Sequence, residues 1–208
     1  ILTGGNYRID MDSLPKIPSI TLLKDQWTEI KKLIEDGKDV QLAFDIRNHF
    51  RKGPIPLYNV IADIPGTEWP EEVVIVGGHI DSWDGATGAT DNGAGCATTM
   101  EAARILMAAK VKPKRTIRFM LWSGEEQGLL GSRAYIERHL ASRPVDPKLT
   151  GIQAYSAWTS AWPITPKPGY YDLKAYFNLD NGGGKIRGIY AEGNLAAEGT
   201  LGKWLKPF

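Results

Sequence analysis

Three continuous runs of apolar residues divide the middle of the chain, at residues 73–80, 116–122 and 174–180. Apolar runs of this length without alternation are typical of strands covered on both faces. Residues 39–50 and 58–65 instead alternate apolar and polar side chains, which predicts strands that bury one face. We therefore predict five strands, three of them fully buried.

Four segments repeat apolar side chains every three or four residues, as amphipathic helices do. They are residues 24–36, 92–110, 128–141 and 195–206. The residues predicted to face inward are, in chain order, Trp27, Ile30, Ile34, Cys96, Met100, Ala103, Met107, Leu129, Ile136, Leu140, Leu195, Leu201 and Leu205. Residues 1–23 and 143–172 show no clear period, and we expect both to be irregular.

Strands that alternate with helices along the chain predict an α/β domain, in which helices cover a sheet. In open sheets of this kind, functional side chains lie just beyond the carboxyl ends of the strands. The polar residues that follow each apolar run are therefore the first candidates for chemistry.

Composition limits the classes of function that are open to the chain. Its 208 residues are enough for one domain with a sizeable core. The formal net charge of +1 does not favour nucleic acid or an anionic membrane surface as a partner. The apolar runs are too short to cross a bilayer, so no membrane span is predicted. Cys96 is the single cysteine, which excludes an internal disulfide and leaves the compartment open.

One imidazole and several carboxylates stand where the buried strands end or a helix begins. His79 and Asp81 close the first run, Asp91 precedes a predicted helix, Glu125–Glu126 follow the second run, and Asp180 closes the third. A site rich in oxygen with one imidazole suits zinc, or manganese and cobalt in its place. A carboxylate next to a ligand carboxylate, as in Glu125–Glu126, can also act as a general base.

Each candidate also has a purely structural interpretation. Asp91 could cap the predicted helix that follows it, since Asp is a preferred residue at helix caps. Glu125 and Glu126 could stabilise the first turn of a helix by their charge, Asp180 could form a turn, and a lone His79 could be structural. Four such positions in one chain, each at a strand end, favour the metal site.

The other two histidines are weaker candidates. His49 lies in a polar patch before a Gly/Pro turn, and His139 follows Arg138 on the polar side of a predicted helix. We expect both to be surface residues.

Four segments between residues 58 and 190 carry a family resemblance. They are YNVIADIPG, GGHIDSWDGATGATDNGAG, MLWSGEEQGLLGSRAY and NLDNGGGKIRGIY. Together they resemble the co-catalytic zinc aminopeptidase and glutamate carboxypeptidase family, and within it the branch of plasma glutamate carboxypeptidase and related bacterial peptidases. Residues 16–40 resemble the closing stretch of the protease-associated domain that precedes the catalytic part of many members.

The resemblance implies a role for each candidate residue. His79 and Asp180 would bind one zinc ion, Glu126 would bind a second, and Asp91 would bridge both. Glu125 would be the general base and acid, and Asp81 would orient His79. It further implies a cis peptide bond between Asp91 and Asn92.

The implied activity is hydrolysis of a terminal peptide bond in peptides or dipeptides, by a water that two zinc ions activate. The implied fold is a sandwich of helices around a mostly parallel mixed sheet, with residues 1–40 as the tail of a protease-associated domain and a linker. Residues 41–208 would be the amino-terminal portion of the catalytic domain, the rest lying beyond this chain. Export to the periplasm or the exterior and a homodimer are also expected.

The family uses one more histidine, downstream of the NLDNG strand, to complete the second zinc position. No histidine follows His139 here, so we expect at most one tightly bound zinc ion in this chain. Two alternatives stay open: a glutaminyl-cyclase-like acyltransferase with one zinc ion, and a non-catalytic ectodomain like that of the transferrin-receptor relatives.

Overall fold

The computed structural model describes residues 17, 20–47, 49, 51–149, 151–180 and 182–207, and for residues 151–152 it describes the backbone only. Most of the segment predicted to be irregular, residues 1–23, therefore lies outside the described residues. Within them, no helix is long and apolar enough to cross a membrane.

A four-stranded sheet lies at the centre of the structure. Its strands are β1 (Val60–Ile64), β2 (Trp69–His79), β3 (Arg115–Trp122) and β6 (Leu173–Asn178), in the order β1-β3-β2-β6. β2 is parallel to β3 and to β6, whereas β1 is antiparallel to β3. The predicted α/β fold with a mostly parallel mixed sheet is confirmed. A two-stranded ladder joins β4 (Ala141–Ser142) to β5 (Thr165–Pro166).

Helices alternate with these strands along the chain. They are α1 (Lys24–Glu35), α2 (Ala94–Ala108), α3 (Leu130–Tyr135), α4 (Gly151–Ser160), α5 (Pro168–Asp172) and α6 (Glu198–Leu205). Wider turns precede α2 (Ala89–Gly93) and follow α3 (Ile136–Leu140), and a 3₁₀ turn (Leu195–Ala197) precedes α6. The four predicted helices are thus confirmed, and residues 143–172 contain α4, β5 and α5 where we expected an irregular loop.

The core is built on β2 and β3. Ile75, Met120, Trp122 and Tyr135 form its buried centre, and the side chain of Met120 is fully buried. Val73, Leu140 and Leu173 pack against this centre from the sheet and from the turn after α3. Because the carboxyl ends of β2 and β3 pair with each other, with His79 opposite Trp122, the loops that follow them start from neighbouring positions.

The prediction of a strand at residues 39–50 was wrong. Its described residues form no strand, and Leu42, Phe44 and Ile46 are exposed. A strand with one apolar face needs a neighbour that pairs with its backbone and a core that covers that face. Among the described residues, no strand pairs with this segment, so the alternating pattern alone does not make it a strand.

β6 forms where a strand was predicted, but it is not buried. Tyr176 and Phe177 are 45% and 36% exposed. In the described part of the chain β6 pairs with β2 alone and forms the edge of the sheet, and an edge strand has a neighbour on one side only.

The packing faces of α1 and α2 differ in part from the prediction, whereas Leu129, Ile136 and Leu140 are partly buried, as predicted. In α2 the buried residues are Gly95 and Thr99, whereas Met100 and Met107 are exposed. Small residues let α2 lie close to β2. The buried face of α2 is therefore the one that carries small residues, and the long apolar residues lie outside it. In α1 no residue is buried, and Leu195, predicted to face inward, is 78% exposed.

Candidate metal centre

The candidate residues meet at one edge of the sheet because three parallel strands end there. His79 is the last residue of β2, Glu125 and Glu126 follow β3, and Asp180 follows β6. Asp91 lies in the turn between β2 and α2. The carboxyl ends of neighbouring parallel strands share one edge, so residues distant in sequence become neighbours.

His79 lies at the centre of this group and is 3% exposed. Its Nε2 atom is 2.9 Å from Oδ1 of Asp91 and 3.4 Å from Oδ1 of Asp180. Its Nδ1 atom is 3.0 Å from the main-chain oxygen of Asp81. A hydrogen on Nδ1 donates to that carbonyl, so Nε2 is the ring atom that faces the carboxylates. Its lone pair can bind a cation that lies between the ring and the carboxylates once Nε2 carries no hydrogen.

The carboxylate of Asp81 binds the loop after β3, a contact that the sequence did not indicate. It accepts hydrogen bonds from the main-chain N–H groups of Glu125, at 3.0 Å, and Glu126, at 3.1 Å. The nearest approach of the carboxylate to Nδ1 of His79 is 3.8 Å. Asp81 therefore orients His79 through its carbonyl oxygen, and its carboxylate holds the loop that bears the two glutamates.

Three residues lie close enough to one another to serve as ligands in a metal centre. Single ligand atoms of His79, Asp91 and Glu126 all lie within 4.8 Å of one another. Oε1 of Glu126 is buried and has no hydrogen-bond partner among the described residues. A buried carboxylate oxygen without a partner costs free energy, and a bound cation removes that cost. The donor set therefore fits a zinc ion in both chemistry and spacing.

Burial and crowded negative charge shift the pKa values in this group. Burial, followed by the charge of Asp180, raises the pKa of Glu125 despite the opposing effect of His79. Burial, followed by the charges of Asp91 and Glu125, raises the pKa of Glu126. Burial lowers the pKa of His79, but Asp180 and Glu125 outweigh it and the pKa is raised overall. A cation relieves the repulsion among these carboxylates.

Asn92 is a site residue that the sequence analysis missed. Its side chain is 2% exposed, donates to the carbonyl of Leu179 at 2.9 Å and accepts from the N–H of Gly95 at 3.0 Å. Asn92, and not Asp91, thus caps the start of α2. The carboxylate of Asp91 is left to face His79. The available signal was the preference for Asn at helix caps.

The peptide bond between Asp91 and Asn92 is cis, as the resemblance implied. Next to it, glycines allow the backbone segments to lie close together. A Cβ atom on Gly95 would lie 2.3 Å from both Oδ1 of Asn92 and the carbonyl oxygen of Leu179. A Cβ atom on Gly78 would lie 2.8 Å from the same carbonyl oxygen. These glycines bring the Asp91 turn against the end of β6, where Asp180 follows.

The remaining histidines stay outside the group. His49 and His139 are both exposed, as expected. The ring of His139 packs against that of Tyr135, with centroids 4.7 Å apart and the ring planes tilted by 42°. His139 also lines a cavity together with Arg118 and Lys167.

An α/β domain with carboxylates and one imidazole at the carboxyl ends of its parallel strands has the arrangement of a metal-binding α/β protein. Residues 59–206 match peptidase family M28, and the chain belongs to that family.

Its relatives include carboxypeptidase Q of Xenopus laevis, which is 38% identical over 130 residues covering 62% of this chain and 27% of that protein. Carboxypeptidase Q of Homo sapiens is 33% identical over 129 residues, with the same two coverages. Leupeptin-inactivating enzyme 1 of Streptomyces exfoliatus is 36% identical over 114 residues, covering 55% of this chain and 24% of that protein. The chain therefore spans about a quarter of the length of the curated relatives it matches.

Two solved structures overlap parts of the chain. A peptidase M28 precursor from Shewanella amazonensis is 47% identical over 39% of this chain and 18% of its own, with a TM-score of 0.38. A zinc aminopeptidase from Bacillus subtilis is 27% identical over 59% of this chain and 24% of its own, with a TM-score of 0.42.

Proposed function

We propose that the protein is a zinc-dependent exopeptidase, in which His79, Asp91, Glu126 and Asp180 bind the metal. The observation that carries this proposal is the group of His79, Asp91 and Glu126, whose ligand atoms lie within 4.8 Å of one another. Membership of peptidase family M28 supports the reaction class. The name of carboxypeptidase Q supports carboxypeptidase activity as a candidate, and the donor set of one imidazole and several carboxylates supports zinc.

We further propose that the intact site holds two zinc ions. His79 and Asp180 would bind one ion and Glu126 the other, and Asp91 would bridge them because its two oxygens can bind separate ions. The position of Asp91 supports the bridging role, since its Oδ1 is 2.9 Å from Nε2 of His79 while it also groups with Glu126. When bound, such a pair lowers the pKa of water and stabilises the negative charge that develops on the scissile carbonyl.

Glu125 would be the general base and acid. Its carboxylate would accept the proton of the attacking water and return it to the nitrogen of the leaving amine. Burial raises the pKa of Glu125, and a raised pKa suits a carboxyl group that must both accept and release a proton during the reaction. Glu126 as a ligand and Glu125 as the base share one loop, which the carboxylate of Asp81 holds through both main-chain N–H groups.

Peptides or dipeptides are the proposed substrates, and we propose that the protein works in the periplasm or outside the cell. Residues 1–40 would be the end of a protease-associated domain and a linker, and residues 41–208 would be the amino-terminal portion of the catalytic domain. A homodimer is the proposed assembly.

The test is a peptidase assay on the zinc-loaded chain and on a version extended beyond Phe208. Dipeptides, amino-terminal amides and carboxyl-terminal peptides should be compared as substrates before and after chelation. We expect turnover in the extended version that chelation abolishes and zinc restores. One zinc ion per extended chain without peptide hydrolysis would favour the acyltransferase-like alternative, and an extended version with neither zinc nor turnover would favour a non-catalytic ectodomain.

A further inference from the structure

Asn59, a residue outside the metal group, holds both ends of the loop that bears Glu125 and Glu126. Its Oδ1 atom accepts a hydrogen bond from the main-chain N–H of Ser123 at 3.1 Å. Its Nδ2 atom donates to the main-chain oxygen of Gly131 at 2.9 Å. One amide side chain thus bridges Ser123, the first residue after β3, and Gly131, in the first turn of α3, and segment 123–131 between them is the loop that bears the two glutamates.

The pairing of β1 with β3 explains how Asn59 reaches this loop. β1 is antiparallel to β3, and Val60 lies opposite Leu121. The residue before Val60 therefore lies beside the carboxyl end of β3, where the loop begins. Asn59 is half-buried there, so its hydrogen bonds are partly shielded from competing water.

The loop itself is closed by its own backbone. The N–H of Gly131 donates to the oxygen of Ser123, and the N–H of Leu130 donates to the oxygen of Gly124, both at 2.9 Å. Between these ends the chain turns through positive φ angles at Gly124, Gly128 and Leu129, which regular helices and strands do not use. An irregular loop of this kind keeps its position through such contacts with the sheet.

The fit of Asn59 is close and directional. A Cβ atom on Gly131 would lie 2.2 Å from Oδ1 of Asn59 and 2.5 Å from the oxygen of Ser123. Turning the amide over would place its NH₂ group against the N–H of Ser123 and its oxygen against the oxygen of Gly131. The two contacts therefore need a side chain of this length with one acceptor and one donor.

From these contacts we infer that Asn59 is a positioning residue for the glutamate pair, an inference that rests on the proposed function. Asp81 holds the middle of the loop through the N–H groups of Glu125 and Glu126, and Asn59 holds its two ends. Asn59 acts on the reaction through the loop and does not touch the substrate. Losing it should move the base and one ligand together.

The experiment compares Asn59→Leu, which keeps the size of the side chain and removes both hydrogen bonds, with Thr116→Val. Thr116 accepts from the N–H of Gly66 and donates to the oxygen of Pro70 at the opposite end of β3, so the control also loses two contacts to the backbone. Amide hydrogen exchange is measured on the zinc-free 208-residue chain. Turnover is measured on the zinc-loaded version extended beyond Phe208.

We expect Asn59→Leu to speed exchange at Ser123 and to lower kcat by about 10–100-fold, since a displacement of about 1 Å can cost 10²-fold. KM should stay within about twofold. Thr116→Val should leave kcat unchanged. An Asn59→Leu protein with the kcat and the Ser123 exchange rate of the unmodified protein overturns the inference, and so does an equal loss of kcat in Thr116→Val.

Two further outcomes keep the test decisive. If Asn59→Leu does not fold, Asn59→Ala is measured in its place. The unmodified chain gives a test without any variant: if its Ser123 amide exchanges as fast as the amides of an open loop, the inference is overturned. If the unmodified extended version neither binds zinc nor turns over, the proposed function is wrong. The exchange rates then still decide whether Asn59 holds the loop.

Discussion

Among single side chains, His79 shows how a hydrogen bond to one ring nitrogen determines which nitrogen is left to bind a metal. Its Nδ1 atom is engaged by the carbonyl of Asp81, which leaves Nε2 to face Asp91 and Asp180. The sequence could predict these residue types at strand ends, because apolar runs mark the strands. It could not predict that Asn92 caps α2 or that the carboxylate of Asp81 binds the glutamate loop, since both depend on contacts between distant segments.

The role of Glu125 can be tested by removing its ability to take a proton. Glu125→Gln keeps the size of the side chain and leaves all four proposed ligands in place. In a version extended beyond Phe208, we expect kcat to fall by about 10²–10⁴-fold while zinc content stays the same. Turnover comparable to that of the unmodified protein would rule out Glu125 as the base.

The bridging role of Asp91 predicts a difference between two variants in metal content. Asp91→Asn should lower zinc occupancy at both positions, whereas Glu126→Ala should affect mainly one. Metal analysis of both variants of the extended version, after equal exposure to zinc, gives the comparison. Unchanged zinc in Asp91→Asn would refute the bridge, and the Glu126→Ala protein serves as the control for a loss at one position.

Among the helices and strands, the predictions were correct where the sequence of one segment determines its structure. They failed where the structure or burial of a segment depends on a neighbouring segment. The runs at residues 73–80 and 116–122 became β2 and β3, and both are largely covered. The alternating segment at residues 39–50 did not form a strand, and β6 is exposed because it lies at the edge of the described sheet. Helix faces were harder to predict, since α2 packs through Gly95 and Thr99.

The close approach of α2 to the sheet predicts a strong effect of a small substitution. Gly95→Ala would place a methyl group 2.3 Å from the oxygen of Leu179 and from Oδ1 of Asn92, so α2 must shift. We expect the free energy of unfolding to fall by about 1–3 kcal/mol, the usual cost of overpacking, and zinc affinity to fall with it because Asn92 moves. Urea denaturation and zinc titration measure the two effects.

A matched control lies in α6. Gly202 has no heavy atom within 4 Å of an added Cβ atom. Gly202→Ala should raise the stability of this helix by up to about 1 kcal/mol and leave zinc affinity unchanged. If Gly95→Ala lowers neither the free energy of unfolding nor the zinc affinity, as expected of Gly202→Ala, then α2 does not need to lie this close to the sheet.

The whole molecule exposes apolar surface at the edge of its sheet. Tyr176, Phe177 and Trp204 are all exposed, and the rings of Phe177 and Trp204 lie 6.2 Å apart. Exposed apolar side chains beside an open strand edge favour association between chains. We expect the 208-residue chain to self-associate as its concentration rises in sedimentation velocity, and Phe177→Lys to reduce that association. A chain that stays monomeric throughout would contradict this.

Zinc titration of the 208-residue chain by calorimetry tests the metal site most directly. His79, Asp91 and Asp180 can complete one position with a water, whereas Asp91 and Glu126 alone make a weak second position because an imidazole is a principal zinc ligand. We predict at most one tightly bound zinc ion, little or no peptidase activity, and loss of any tight zinc binding in His79→Ala. Tight zinc binding that His79→Ala leaves intact would contradict the site, and two tight zinc ions with full turnover would contradict the need for a further histidine.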